Sequence, residues 1–295
     1  LRAVTSVGDH AGPQTALNPL VGTVSILHAI VLGIAQGLAE YLPISSSGHL
    51  IVIPWLFGWD DFAGDDSLKK TFDVALHLGT LLGAVTYFRS DIRRLVRAAI
   101  LDPKRKDGRL AWLIALSAVP AALTGALLAD TIESSTDQIA TIAVMLIVGA
   151  LALAWADGAL GKRTIDEVNL RDAIVMGVGQ AIALQPGVSR SGVTITVGRF
   201  VGLGRDAAAR FAFLMSLPIT AGALVYKYFD VQGEGGIPSD MRAAFFWGIV
   251  SSAVTGYIAV WGTLKLVRTH SFLPFVVYRL VLGFAILSIV ATPLR

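Results

Sequence analysis

Glu40, Ser46, His49 and Arg190 are the residues of this chain whose types and spacing could do chemistry. Three of them fall in one run, Gln36-Gly-Leu-Ala-Glu40-Tyr-Leu-Pro43-Ile-Ser45-Ser46-Ser47-Gly48-His49. The fourth falls in a second run, Gln180-Ala-Ile-Ala-Leu184-Gln-Pro-Gly187-Val-Ser189-Arg190-Ser191-Gly192. A shift of 144 residues lays Gln36 on Gln180, Ser45 on Ser189, Ser47 on Ser191 and Gly48 on Gly192, so the two runs read as one element used twice. The copies differ where Glu40, Ser46 and His49 meet Leu184, Arg190 and Val193. An acid, a hydroxyl and an imidazole in one half face an arginine in the other.

Each residue type suggests a task. Glu40, one helical turn from Gln36, could be a general base, a proton carrier or a divalent-cation ligand. His49 lies three residues after Ser46, where a helical turn could bring imidazole and hydroxyl together to activate a nucleophile or protonate a leaving group. In both runs a Pro or Gly ends one short helix and a Ser-rich turn opens the next, and Ser45, Ser46, Ser47, Ser189 and Ser191 suit such helix starts. The first turn of a helix offers unpaired N–H groups and about half a positive charge, which makes it an anion site. Two such ends converging would cradle a phosphate or diphosphate, and the Arg190 fork matches phosphate oxygens.

The elements that must position these residues are membrane helices. The 295 residues are 54% hydrophobic and only 15% charged, with a mean hydropathy of +0.67, far from the charged content of about 25% in soluble domains. Basic residues lie between apolar runs rather than along one face, which argues against nucleic acid as a partner despite a pI near 9.3. The absence of cysteine excludes disulfides, thiolate metal sites and cysteine nucleophiles. Six segments, roughly 71–88, 110–129, 138–156, 208–229, 243–264 and 272–293, approach the ~20 residues needed to cross about 30 Å of hydrocarbon. Two further apolar regions, 24–58 and 170–204, are interrupted by the motifs and read as re-entrant helix pairs, whose irregular backbone must be buried or line a wet cavity.

Loop charges predict an orientation. Residues 89–109 carry eight Lys or Arg and 130–137 carry none, which puts the first loop in the cytoplasm and the second outside. The 157–170 and 265–270 loops then fall inside and the acidic 230–241 segment outside. The expected fold is an all-α polytopic membrane protein with an inverted-topology repeat, six transmembrane helices and two re-entrant pairs meeting near the midplane. Its parts are an N-terminal leader, loose or interfacial, over 1–22, a first repeat over 23–157 and a second, inverted one over 158–295. The leader lacks the basic start and apolar core of a cleavable signal peptide.

Other candidates are weaker. His28 and His77 lie in apolar segments and read as core or helix-contact residues. Asp73 reads as a charge opening a helix at 71, and Arg199 and Arg205 as facing the cytoplasmic surface. Gly202-Leu-Gly204-Arg-Asp-Ala207 fits a dinucleotide pattern, but no βαβ unit surrounds it. Gly187-Val-Ser189-Arg-Ser191 misses the hydrolase elbow G-x-S-x-G, and neither a Walker A lysine nor an H-E-x-x-H occurs.

The two runs, Gln36-x-x-x-Glu40 followed by Leu42-Pro43-Ile-Ser45-Ser46-Ser47-Gly48-His49, and Pro186-Gly187-Val-Ser189-Arg190-Ser191-Gly192, closely resemble the bacterial undecaprenyl-diphosphate phosphatase family associated with bacitracin resistance. The resemblance covers residue 24 to the C-terminus. It implies hydrolysis of undecaprenyl diphosphate to undecaprenyl phosphate and inorganic phosphate, which recycles the lipid carrier of cell-wall synthesis, with bacitracin acting on the substrate rather than on the protein. It implies Glu40, Ser46, His49 and Arg190 as the catalytic set. Gln36, Ser45, Ser47, Gly48, Ser189, Ser191 and Gly192 follow as substrate-binding positions, and Glu40 as ligand of a divalent cation, Mg²⁺ or Ca²⁺. It also implies a bacterial plasma-membrane location, with the site facing the exterior and membrane lipids around it, and leaves a homodimer open. Gln36 occupies a position often acidic in that family and cannot act as a base. Ser46, His49 and water remain alternative nucleophiles. A transporter or flippase of polyprenyl phosphate on the same inverted repeat is the rival reading.

Overall fold

Proline and serine cut the first apolar region in two. In the computed structural model, which describes residues 24–134, 138–233 and 237–292, α1 (Ile26–Tyr41) ends at Leu42, whose ψ of 137° is extended. The following Pro43 explains this, because a proline ring disfavours helical geometry in the residue before it. α2 (Ser46–Phe57) then opens with the Ser45 hydroxyl accepting from Gly48 N at 3.3 Å. The second motif repeats the device between α8 (Leu170–Ile182) and α9 (Arg190–Phe200), where Ser189 accepts from Gly192 N at 3.1 Å.

The remaining helices are longer. α3 (Asp66–Tyr87) starts at the Asp65 cap, so Asp73 lies inside the helix rather than at its opening as expected. At Phe88 the chain turns by 79° into α4 (Arg89–Leu101), which packs on α5 (Lys106–Ser117). α5 and α6 (Val119–Ser134) share the apolar stretch Lys106–Leu128. α7 (Ile139–Asp157), α10 (Arg205–Gly233), α11 (Arg242–Val267) and α12 (Leu273–Ala291) complete the set. A 3-10 turn (Ile165–Glu167) links α7 to α8. The described residues contain no β-strand, only one isolated bridge between Arg163 and Leu203.

Among the described residues, five helical stretches are long and apolar enough to cross a bilayer, and six when the bent pair α3 and α4 counts as one. Their outward faces carry Leu127, Trp155, Val254 and Phe284, all more than half exposed. Apolar side chains facing outward on several long helices require lipid rather than water around them. The chain is thus a multi-pass, all-helical membrane protein. The 1–22 leader lies outside the described residues, as do parts of the loops expected at 130–137 and 230–241.

Packing crosses between the halves of the chain. α1 lies on α11 and α8 lies on α5 and α6, while α7 pairs with α12. Close approach is built on glycine: a Cβ at Gly37 would meet Ser252 O at 2.6 Å, and one at Gly177 would meet Ser117 O at the same distance. Without a hydrophobic drive between helices in lipid, such contact of backbones supplies the attraction.

At the basic end, Arg163 pairs with buried Asp172 at 2.6 Å and Arg205 with Asp157 at 2.5 Å. Arg199, expected to face the cytoplasmic surface, is instead buried and donates to Gly161 O, Ala159 O and Leu203 O. A guanidinium has five donors in a fixed fork, so one arginine can hold several loop carbonyls at once.

Candidate active site

Both broken helices turn through a strained serine. Ser45 has φ 78° and ψ 97°, and Ser189 has φ 72° and ψ 107°. Non-glycine residues held at positive φ cost about 1–3 kcal/mol and persist where the surroundings fix them. Here each turn is fixed by the other. The Ser47 hydroxyl accepts from Gly187 N at 3.4 Å, and the Ser191 hydroxyl donates to Leu42 O at 3.1 Å. Ser45 and Ser47 stand 3.4 Å apart, as do Ser189 and Ser191. Five of the positions expected to bind phosphate, Ser45, Ser47, Gly48, Ser189 and Ser191, thus make contacts that brace the two turns, and Gly192 completes the Ser189 cap.

A third brace comes from Arg279 on α12, which is fully buried. It donates to Leu146 O at 3.0 Å, Met145 O and Val188 O at 3.2 Å, and Gly187 O and Pro43 O at 3.4 Å. Both motif turns and the middle of α7 therefore share one cation. Sequence reasoning passed over Arg279, although the signal was there: a single arginine inside the apolar 272–293 segment is as costly, and as purposeful, as Arg190.

The braced turns bring Glu40, Ser46 and Arg190 together. Glu40 Oε2 accepts from Ser46 Oγ at 2.6 Å and from Gln36 Nε2 at 3.1 Å. Its Oε1 accepts from Arg190 Nη2, whose Nη1 donates to Thr220 Oγ1 on α10 at 2.8 Å. Glu40 is 7% exposed, so its charge is compensated inside the protein and not by water. A carboxylate hydrogen-bonded to a hydroxyl is the arrangement of a base and its nucleophile. Ser46 and Arg190 are also the first residues of α2 and α9, whose N-termini favour anions.

The two histidines lie otherwise than their spacing suggests. His49 Nδ1 bonds to Ser45 O at 2.6 Å and its Nε2 to Tyr278 OH at 2.6 Å, so the expected Ser46–His49 pairing does not form. A carbonyl only accepts, so Nδ1 carries a proton and Nε2 accepts from the tyrosine when the ring is neutral. His77, expected as a core residue, places Nε2 3.6 Å from Glu40 Oε2 while Nδ1 donates to Asp73 O at 2.8 Å. His28 stacks on Trp59 at 3.7 Å and bonds to Asp61 at 2.7 Å, away from the site.

The described residues contain no cluster of three or more His, Asp or Glu able to hold a metal by themselves. Gln36 Oε1, however, is buried beside Glu40 without a hydrogen-bond partner. An oxygen pair of that kind fits a hard cation held mainly by phosphate oxygens and water, the usual manner of Mg²⁺.

The chain is a multi-pass helical membrane protein in which a carboxylate at the end of α1 joins a hydroxyl and a guanidinium that open α2 and α9, an arrangement rich in donors for an anion. The family model described as bacitracin resistance protein BacA matches residues 29–285, and the chain belongs to that family. Relatives agree over nearly their whole length. The undecaprenyl-diphosphatase of Moorella thermoacetica is 43% identical over 266 residues, covering 90% of this chain and 98% of the relative. That of Geobacter sulfurreducens is 47% identical, covering 89% and 97%, and that of Nocardioides sp. 41%, covering 91% and 98%.

Proposed function

We propose that this protein hydrolyses undecaprenyl diphosphate to undecaprenyl phosphate and inorganic phosphate. The observation that carries this reading is the Ser46–Glu40 hydrogen bond at 2.6 Å with Arg190 on the opposite carboxylate oxygen. The BacA family and its undecaprenyl-diphosphatase relatives supply the substrate. The rival transporter reading finds no support among these relatives, and a nucleophile paired with a base has no use in transport.

In the proposed mechanism, Ser46 Oγ attacks the terminal phosphorus and its proton passes to Glu40. The bond from phosphorus to the bridging oxygen breaks, and undecaprenyl phosphate leaves. Water then hydrolyses the phosphoserine. Arg190 and the N-termini of α2 and α9 neutralise charge on the phosphoryl oxygens, which is most of what phosphoryl transfer asks of a protein. A divalent cation, held by Glu40 and Gln36 Oε1 together with the diphosphate, would neutralise further charge.

Residues 23–157 and 158–295 form, in this reading, two inverted repeats, each a re-entrant pair followed by three spanning helices. The near-equal backbone angles of Ser45 and Ser189 support it, as does the exchange in which α1 packs on α11 and α8 on α5 and α6. With the basic segment 89–109, which the structure folds as α4 and the start of α5, in the cytoplasm, the site opens to the exterior of a bacterial plasma membrane.

The deciding experiment measures phosphate released from undecaprenyl diphosphate by the purified protein in detergent, with and without EDTA, beside Glu40→Ala and Arg190→Ala. Activity lost in both folded variants supports the reading. Release that survives in Glu40→Ala overturns it.

A further inference from the structure

A groove with an almost wholly apolar lining begins within one helical turn of the Glu40–Arg190 cluster. Its volume is about 560 Å³, and its walls come from α3, α4, α5 and α10. On α3, His77 stands beside Glu40, and Leu81 and Val85 follow at four-residue spacing along the same face. On α10, Thr220 accepts from Arg190, adjoins Ala221 and lies one turn from Leu217. Two helices thus carry the same change from polar to apolar, side by side. Beyond Val85 the chain bends by 79° into α4, whose Ile92 and Val96 line the groove further on.

We infer that this groove holds the first isoprene units of the lipid whose diphosphate sits at Arg190 and Ser46. The inference rests on the function proposed above and adds to it where the tail goes. From His77 to Val85 the helix rises roughly 12 Å, the length of a few isoprene units. The inner wall is buried, with Leu214 3% and Leu217 8% exposed, while the rim at Ile100 is 74% exposed. The groove is therefore a trough open along one side, through which the rest of a long tail can pass into the bilayer. Charge decides the occupant: a chain lying here places its head against a guanidinium and two helix N-termini, which select a phosphorylated head. The groove also runs from the site toward the basic α3–α4–α5 end. With that end cytoplasmic, the lipid lies with its tail pointing inward, the posture of a lipid drawn from the outer leaflet.

The test compares phosphate release from dimethylallyl, farnesyl and undecaprenyl diphosphates by the full chain in detergent. The unmodified protein should gain kcat/KM with tail length. Ala221→Phe fills the mouth of the groove and should cut the undecaprenyl-to-dimethylallyl efficiency ratio at least ten-fold, and Ala99→Trp, further along, by a smaller factor. A ratio unchanged in both variants would sink the groove and leave the phosphatase reading standing. No release from any of the three by the unmodified protein would sink that reading itself. Undecaprenyl diphosphate carrying a photoreactive diazirine near its head supplies a check free of folding defects. Adducts within 81–85 or 214–221 support the groove, and adducts spread over outward residues such as Trp155 and Phe284 would assign it to bulk lipid.

Discussion

Ser46 and Arg190 occupy the same position in the two copies of the motif, and they close on opposite oxygens of one carboxylate, Glu40. The duplicated element thus presents a hydroxyl from one side and a cation from the other. Because each opens a helix, a phosphoryl group bound between them meets two helix N-termini as well. The asymmetry of the copies is what makes the site.

Removing either half of the nucleophile pair should stop the chemistry without removing the lipid. Ser46→Ala and Glu40→Gln are both expected to lower phosphate release by roughly 10²–10⁴-fold, the usual worth of a positioned base and its partner. Lipid binding, followed by retention of labelled undecaprenyl diphosphate, should persist in each. A phosphorylated Ser46 trapped by acid quench would establish the covalent step, and full activity of Ser46→Ala would exclude it in favour of direct attack by water.

Arg190 should not be replaceable by lysine. Its fork spans Glu40 and Thr220 at once, and an ammonium on a flexible stem has no second fixed donor for that geometry. Arg190→Lys is expected to retain less than about a tenth of the activity, because the loss of one good charge-assisted bond exceeds 1.4 kcal/mol. Thr220→Val should cost several-fold, chiefly in kcat, since it loosens the guanidinium without removing its charge. Steady-state kinetics on the three folded proteins check this order.

The two imidazoles should separate by their pH behaviour. His77 faces Glu40, the base of the proposed mechanism, whereas His49 is tied to a backbone carbonyl and to Tyr278. His77→Gln is expected to change the shape of the rate–pH profile. His49→Gln should lower the rate by loosening the turn while leaving the profile in place. A profile moved by His49→Gln alone would return His49 to the proton path that the sequence suggested.

Much of this was legible in the chain itself. The apolar segments gave the helices, because helices that cross lipid must satisfy their backbone internally and so announce themselves by length. Pro43 and Ser45 marked the break, and the scarcity of intramembrane charge singled out Glu40 and Arg190. What was not legible depends on which helix lies beside which. The spacing of Ser46 and His49 suggested a pair, but the Ser46 hydroxyl donates to Glu40 at the end of α1 while His49 turns to Ser45 O and Tyr278. His77 looked like a packing residue until α3 was seen to run past Glu40. Ser47 and Ser191 were legible as phosphate-binding candidates, but not that each also holds the opposite turn.

The strained serines offer a test of stability. At Ser45, alanine removes the cap on Gly48 N and keeps a Cβ at φ 78°, so Ser45→Ala should cost about 1 kcal/mol. Glycine also removes the cap but accepts positive φ freely, and relief of part of the 1–3 kcal/mol of strain should offset its greater unfolded-state entropy. Thermal unfolding in detergent should therefore rank Ser45→Gly above Ser45→Ala. The same order is expected at Ser189, where φ is 72°. The opposite order at both sites would mean that the hydroxyls, and not the backbone, limit the turns.

Arg279 should prove the most sensitive residue outside the reacting groups. It serves five carbonyls from three segments, and no carboxylate among its hydrogen-bond partners shares the burden. Arg279→Met leaves those carbonyls to find water inside a lipid-enclosed core, at about 1–3 kcal/mol for each buried group left unsatisfied. Arg279→Lys keeps the charge but has three donors on a point-like head, so it can hold one turn and not both. Unfolding temperature should fall in the order wild type, Lys, Met. The Lys variant, if folded, should keep its affinity for the lipid while losing kcat, because Ser46 and Arg190 remain present but their helices are no longer fixed against each other. Equal stability of Met and wild type would show that the turns are held by Ser47 and Ser191 alone.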